Sequence, residues 1–333
     1  MTAAASVDGV LVQWGERLFY PGNRIVKTPP LPRLAGSISH RAQGIRRRIH
    51  ATVTLRASRV MVKVTGGGRG MAAIAAHMRY ISKNGQRIIE DDRGVEHEGR
   101  DALRDLVDQW RYGDSFIDEV SPRREAFNIM LSMPRGTDPQ AVKGAAREFA
   151  RAEVAGHRWV MVLHERQANP HVHLSVRAES MSGKRLNPRK ADLQRWRETF
   201  AAKLHDRGIQ AEATRQFVRG ANRSYDALWR IKAKDEDRLR DISGDVKAGI
   251  AYELSRREAL NAWAHVVTAL EHSDDRGDRE MGKNARRFLN ESPYVKEAFQ
   301  RYQHERAAEV RPEPRVIQMP ARTRERSGPE LER

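Results

Sequence analysis

The chain has 333 residues, enough for one or two domains with a real core, and it contains no cysteine, which excludes disulfides, thiolate metal sites, iron–sulfur clusters and cysteine nucleophiles. Its formal net charge is +17 and 32% of its residues are charged, against 39% hydrophobic. Such a surplus calls for a polyanionic partner: nucleic acid first, an anionic membrane surface second, a ribosomal or chaperone-like role third. Any transition-type metal has to be held by His, Asp or Glu. No stretch approaches the roughly 18 apolar residues of a membrane helix. The N-terminus shows no charged start, apolar run and cleavage site, so the expectation is a cytoplasmic protein without membrane insertion.

Residues 1–57 read as a basic, flexible arm. Pro29, Pro30 and Pro32 cluster, Arg46, Arg47 and Arg48 form a run, and fifteen Lys or Arg fall from Arg17 to Ile89 without one Asp or Glu. Such a block can wrap an anionic backbone or serve only as a solvated tail. From Arg59 to Thr65 the pattern alternates and stops at Gly66-Gly67-Gly68, which predicts a strand entering a turn. That turn lacks the Gly-Lys-Ser/Thr ending of a nucleotide loop. Met71 to Lys83 predicts a short helix. Asp101 to Tyr112 predicts another, with Leu103, Leu106, Val107 and Trp110 on one side. Phe127 to Met133 is a buried-strand candidate, and Pro139 to Glu153 a helix. Trp159 to Leu163 and Val172 to Val176 predict two strands around a loop at Asn169-Pro170. Asp192 to Asp206 predicts a helix ended by Gly208, with a last short strand at Ile209 to Ala213.

This order is α+β: a central antiparallel sheet with flanking helices, followed by a helical extension, not the repeated units of a doubly wound fold. The expected division is 1–57 as the arm, 58–225 as the sheet domain, 226–310 as a helical charged region and 311–333 as a polar, disordered tail.

His164 ends one predicted strand and His171 and His173 begin the next. Histidines at i and i+2 on a strand share a face, while Val172 and Leu174 turn to the core. If the strands pair, three imidazoles converge with coordination positions left open, as in a catalytic divalent-metal site. Imidazole suits Mn²⁺, Co²⁺, Ni²⁺ or Zn²⁺ better than Mg²⁺. A His-x-His pair also arises on surfaces, and from spacing alone both readings stand. The other histidines, His77 among them, have no comparable companions and read as solvent-facing or satisfied core residues. Tyrosine in a helix, Tyr80 included, is most often packing.

The segment His164-Glu165-Arg166-Gln167-Ala168-Asn169-Pro170-His171-Val172-His173-Leu174 resembles the third motif of conjugative relaxases. These are the histidine–hydrophobe–histidine endonucleases that nick a plasmid at its transfer origin. The similarity is nearest to the VirD2-like, or P-type, mobilisation relaxases. Val62-Lys63-Val64-Thr65-Gly66-Gly67-Gly68 is similar to that group's first strand and turn. Met78-Arg79-Tyr80-Ile81-Ser82-Lys83-Asn84-Gly85 is similar to the motif holding its nucleophilic tyrosine. Ile129 to Asp138 resembles an internal strand running into a helix. The resemblance spans about 58–230.

It implies a sheet with the two histidine strands at its centre. It also implies a divalent metal, Mg²⁺ or Mn²⁺, on His164, His171 and His173, and attack by Tyr80 on a phosphodiester of single-stranded DNA. The products would be a 5′-phosphotyrosine and a free 3′-hydroxyl, with Glu165 a candidate helper for the proton. Tyr112 and Tyr20 are weaker nucleophile candidates. Arg79, Lys83, Ser132, Arg177 and Arg185 are candidate neighbours of the DNA. The implied partners are DNA at a transfer origin, a relaxosome accessory protein, a coupling protein and a type IV secretion system, with translocation to a recipient cell on the DNA. The group's pattern departs here at three places. An acidic residue and a histidine before the Pro-His-x-His core are Ala168 and Asn169, and a strand histidine is Asn128, which leaves the proton acceptor open. The other readings are a replication initiator or transposase using the same chemistry, and a catalytically inactive accessory DNA-binding protein.

Overall fold

The computed structural model describes residues 6–20, 36–113, 115–165, 169–214, 216–220 and 249–309. In chain order the elements are α1 (Val7–Val10), a π turn (Leu11–Gly15), α2 (Glu16–Phe19), α3 (Ile38–Val53), β1 (Ser58–Arg59), β2 (Met61–Gly66) and α4 (Met71–Ile81). Then come β3 (Ile89–Asp91), β4 (Glu96–His97), α5 (Gly99–Tyr112), β5 (Ala126–Ser132), α6 (Pro139–Glu153), β6 (His157–His164) and β7 (His171–Ser180). The chain continues with α7 (Lys190–His205), β8 (Ala211–Glu212), a 3-10 turn (Gln216–Arg219), α8 (Ile250–Glu271), α9 (Arg276–Glu291) and α10 (Pro293–Glu309).

Six strands form one sheet in the order β2-β5-β7-β6-β3-β4, with every neighbouring pair antiparallel. The fold is therefore the expected α+β arrangement, with β6 and β7 at its centre. Alternation along these strands divides the apolar residues between two layers. Trp159, Met161, Val172, Leu174 and Val176 face α6 and α7, where Phe149 meets Trp196 and Phe200 edge-on at 5.9 and 6.4 Å. Each such fully buried side chain contributes roughly 1.5–3 kcal/mol. Val160 and Val162 face the opposite way, toward Met78 and Ile74 of α4 and Leu106 and Trp110 of α5. His164 continues that second alternation, so the sheet face under α4 and α5 is the one that receives the histidines.

Local signals explain the element ends. Asp138 accepts hydrogen bonds from the backbone N–H groups of Gln140 and Ala141 and Pro139 occupies the first turn, so α6 starts where the sequence predicts. The short β3 and β4 were not anticipated. Three and two residues are too few to show alternation, and their pairing rests on the neighbouring β6.

The flexible arm expected over 1–57 is not what the described part of that segment forms. Residues 7–19 and 38–53 are helical, and Leu11, Leu18, Phe19, Ile45 and Ile49 are buried with Trp263, Val266 and Leu270 of α8 and Ala285 of α9. A Cβ on Gly15 would lie 2.4 Å from Ile45 Cγ2, so this close helix crossing needs glycine. The basic run is also largely committed within the protein. Arg46 pairs with Asp8 and with Asp278 of α9, and Arg48 lies over the Tyr20 ring and pairs with Glu198. Arg47 alone of the three is exposed.

The helical part beyond 225 is thus no free extension, because its α8 and α9 complete a second core with the start of the chain. Its partners are more than 200 residues apart in sequence, which composition cannot reveal. A short parallel pair of β1 and β8 and a hydrogen bond from Thr52 to Glu212 join this helical unit to the sheet unit. The proline cluster at 29–32 and the tail at 311–333 lie outside the described residues, as does Ala168. No described helix is long and apolar enough to cross a membrane.

Candidate metal centre and nucleophile

Strand pairing fixes the histidines. His164 lies directly opposite His171 in the β6–β7 register, and His173 lies opposite Val162. All three imidazoles therefore stand on one face at one end of the central strand pair. Their ring centroids are 5.0 Å apart for His164 and His171, 4.6 Å for His164 and His173, and 5.0 Å for His171 and His173. One ring nitrogen from each lies within 4.8 Å of the others, the only such cluster among the described residues.

The remaining ring nitrogens tell whether this set suits a cation. His164 donates from Nε2 to the Ile81 carbonyl at 2.8 Å, which leaves its Nδ1 with a lone pair. His171 donates from Nδ1 to the Asn169 carbonyl at 2.8 Å, which leaves its Nε2 with a lone pair. Metal-binding histidines are commonly held by such carbonyl partners. His173 differs: its Nδ1 is buried and makes no hydrogen bond. Burial pushes the His164 imidazole down to about 4, against the pull of its carbonyl partner, with the nearby Arg87 adding to the depression. Burial and the neighbouring histidines push His173 down to about 3. Both are neutral near pH 7, the protonation state a cation requires of its ligands. The donor set fits a divalent metal.

Tyr80 stands in the last turn of α4 with 74% of its surface exposed, one residue before the carbonyl that orients His164. The helix carrying the phenol is thereby tied to the histidine cluster. Directly after it the chain turns through Lys83, Asn84 and Gly85 in three successive left-handed conformations, at φ 51, 55 and 82°. A Cβ on Gly85 would fall 2.4 Å from the Gly99 carbonyl oxygen, so glycine is required there. Ser82 secures the turn, donating to the Met78 carbonyl and accepting from the Gly85 N–H. This bend brings the charges of Lys83 and Arg87 to bear on the histidines, and Arg87 also donates to the Leu163 carbonyl.

The other sequence candidates fall in different places. Glu165 is exposed, one residue past β6, and makes no hydrogen bond or ion pair among the described residues. Asn169 fixes the loop: its carbonyl holds His171 and its side chain accepts from the Arg135 N–H. Asn128 accepts from Ser175 on the histidine face of the sheet. Ser132 lies opposite His171 but is buried and hydrogen-bonded to the Pro170 carbonyl. Arg177 is only 2% exposed and caps the end of α5, donating to the carbonyls of Trp110, Gly113 and Ser115. It is a structural residue rather than a surface contact. Arg185 is engaged by Glu125 and Glu179. Tyr20 is buried in the helical unit and Tyr112 packs on Phe116, and neither has a ring contact with the histidines.

One residue that the sequence reading set aside lies at the site. The His77 ring is 6.4 Å from that of Tyr80 and 6.2 Å from that of His173. Its Nε2 is buried without a hydrogen-bond partner, and burial lowers its basicity. The available signal was its position three residues before Tyr80, which places both on one side of a helix.

Comparison with known proteins points to the same part of the chain. The family described as "Relaxase: MobA/VirD2-like, nuclease domain" matches residues 80–209, a span that begins at Tyr80 and includes both histidine strands. Among curated proteins, the T-DNA border endonuclease VirD2 of Rhizobium radiobacter is 27% identical over 144 residues, covering 38% of this chain and 33% of that protein. The VirD2 proteins of Rhizobium rhizogenes and Agrobacterium fabrum are 27% and 25% identical over 144 residues, covering 38% of this chain and 32% of each relative. The match thus spans about a third of the length of these relatives. Residues 80–209, which hold the tyrosine and all three histidines, are thus similar to the nuclease domain of MobA/VirD2-like relaxases.

Proposed function

We propose that this protein nicks and rejoins one strand of DNA at a plasmid transfer origin, through a covalent link to Tyr80. The observation that carries this reading is the hydrogen bond from His164 to the Ile81 carbonyl, which couples the exposed tyrosine's helix to the three-histidine cluster. His164, His171 and His173 would hold a divalent cation, Mg²⁺ or Mn²⁺. When bound, it supplies Lewis-acid polarisation of the scissile phosphate and stabilises charge on the phosphorane-like transition state.

The chain's own residues account for the rest. The Tyr80 phenolic oxygen attacks phosphorus, the bond from phosphorus to the 3′-oxygen breaks, and that oxygen leaves with a proton as a 3′-hydroxyl. The tyrosine proton passes to solvent or to a nearby base, for which Glu165 remains a candidate. The phosphotyrosine conserves the bond, so a 3′-hydroxyl reverses the step. Lys83 and Arg87 provide positive charge beside the cluster, and the net charge of +17 favours a polyanion. The VirD2 relatives are border endonucleases for T-DNA, which supports a DNA strand as substrate. A relaxosome accessory protein, a coupling protein and a type IV secretion channel are the partners that follow from this reading.

The test offers a labelled single-stranded oligonucleotide carrying the transfer-origin sequence, with Mn²⁺. A covalent protein–DNA adduct forms with the unaltered protein and is absent with Tyr80→Phe. An adduct that persists in Tyr80→Phe removes the tyrosine from its role.

A further inference from the structure

Each imidazole of the cluster has two nitrogens, and for two of the three the structure shows what the second one does. His164 is held by the Ile81 carbonyl and His171 by the Asn169 carbonyl. His173 has no such partner, and its Nδ1 is buried away from water. A buried polar nitrogen left unpaired is destabilising, so such an atom calls for an explanation. A second buried, unpaired nitrogen lies nearby, Nε2 of His77. The two rings meet edge to face, 74° between planes and 6.2 Å between centroids. A neutral imidazole carries one N–H and one lone pair, so two of them form a matched donor and acceptor.

We propose that His77 is the outer partner of His173: one ring's N–H pairs with the other's lone pair, after a small ring rotation or through one bridging water. This assignment rests on the metal-centre reading above and deepens it. His77 is a positioning residue. It fixes which nitrogen His173 turns toward the cation and how the ring is set. Because His77 also flanks Tyr80 on α4, its ring links the third ligand to the nucleophile's helix, as the Ile81 carbonyl links the first. The site so described has all three histidines anchored from behind, two of them by α4.

The experiment titrates the full-length protein with Mn²⁺, reading free ion by electron paramagnetic resonance, and with Co²⁺, reading the ligand-field spectrum. His77→Ala is expected to weaken Mn²⁺ binding about 10–100-fold, the usual effect of losing an outer partner. His77→Gln, which retains a hydrogen-bonding group, recovers most of that loss, and the Co²⁺ spectrum of His77→Ala is altered in shape. Affinity within about twofold of the unaltered protein in His77→Ala overturns the proposal. Equal weakening in His77→Ala and His77→Gln does so too. In the unaltered protein, long-range ¹H–¹⁵N spectra are expected to show His77 in one fixed tautomer once Zn²⁺ is added. A tautomer mixture that Zn²⁺ leaves unchanged counts against the proposal even if the variants do not fold. Failure of the unaltered protein to bind Mn²⁺ at all would instead remove the metal-centre reading itself.

Discussion

The sheet unit and the helical unit invest their buried polar groups differently. In the sheet unit, His164, His171 and His173 converge on one face with His77 beside them, and His173 Nδ1 and His77 Nε2 are buried without a hydrogen-bond partner. In the helical unit, Arg46 is bound by two carboxylates, Asp8 and Asp278, and Asp278 in turn accepts from Ser273. The first arrangement leaves chemistry open toward a ligand, and the second closes it within the protein. Charge that is fully paired secures structure, whereas a buried nitrogen left unpaired beside a three-histidine cluster calls for a partner.

The comparison can be broken at each end. The largest effect is expected from His164→Ala, which removes one of the three proposed ligands: metal-dependent adduct formation is lost, while the circular dichroism of the fold is retained. Loss of the fold would instead give the histidine a structural role. Next is Trp263→Ala in the helical unit. Its indole is fully buried and donates to the Val218 carbonyl. The expected cost is about 3–5 kcal/mol by chemical denaturation, with adduct formation at low temperature still present. Arg46→Met leaves Asp278 without its main partner and should cost about 1–3 kcal/mol, whereas the neighbouring, exposed Arg47→Ala should stay within about 0.5 kcal/mol. Equal effects of the two would show that the Arg46 pairing contributes nothing.

Much of this contrast was legible in the sequence, and the reason is local. The histidine strands announce themselves by period-two alternation at His171-Val172-His173-Leu174, and α6 by Asp138 and Pro139 at its start. The second core was not legible. Leu11, Ile45 and Trp263 meet only through long-range packing, and the basic run at 46–48 hid the apolar stripe of α3. His77 was missed for the same reason, since its partner His173 lies on a strand almost 100 residues away. Arg177 shows the opposite error: a strand arginine near the motif suggested a DNA contact, but its alternation sends it under α5.

A difference in acid sensitivity is also expected. His164 and His173 sit at about 4 and about 3 in the folded protein, below the roughly 6.5 of an unfolded histidine. As pH falls, the unfolded state takes up protons first, so metal-free stability is full above about 6.5 and declines toward 4. Arg46 holds the Asp278 carboxyl below its usual range, so its contribution persists until pH drops beneath about 3.9. Melting followed separately in the two units should show the sheet unit weakening first, and His173→Asn should flatten its decline.

The most direct measurement of the central claim is anomalous scattering from crystals grown with Mn²⁺. The account predicts one strong peak bonded to His164, His171 and His173, at about 2.0–2.3 Å from a nitrogen of each. Manganese bound elsewhere, with those three imidazoles turned away from it, would contradict the account.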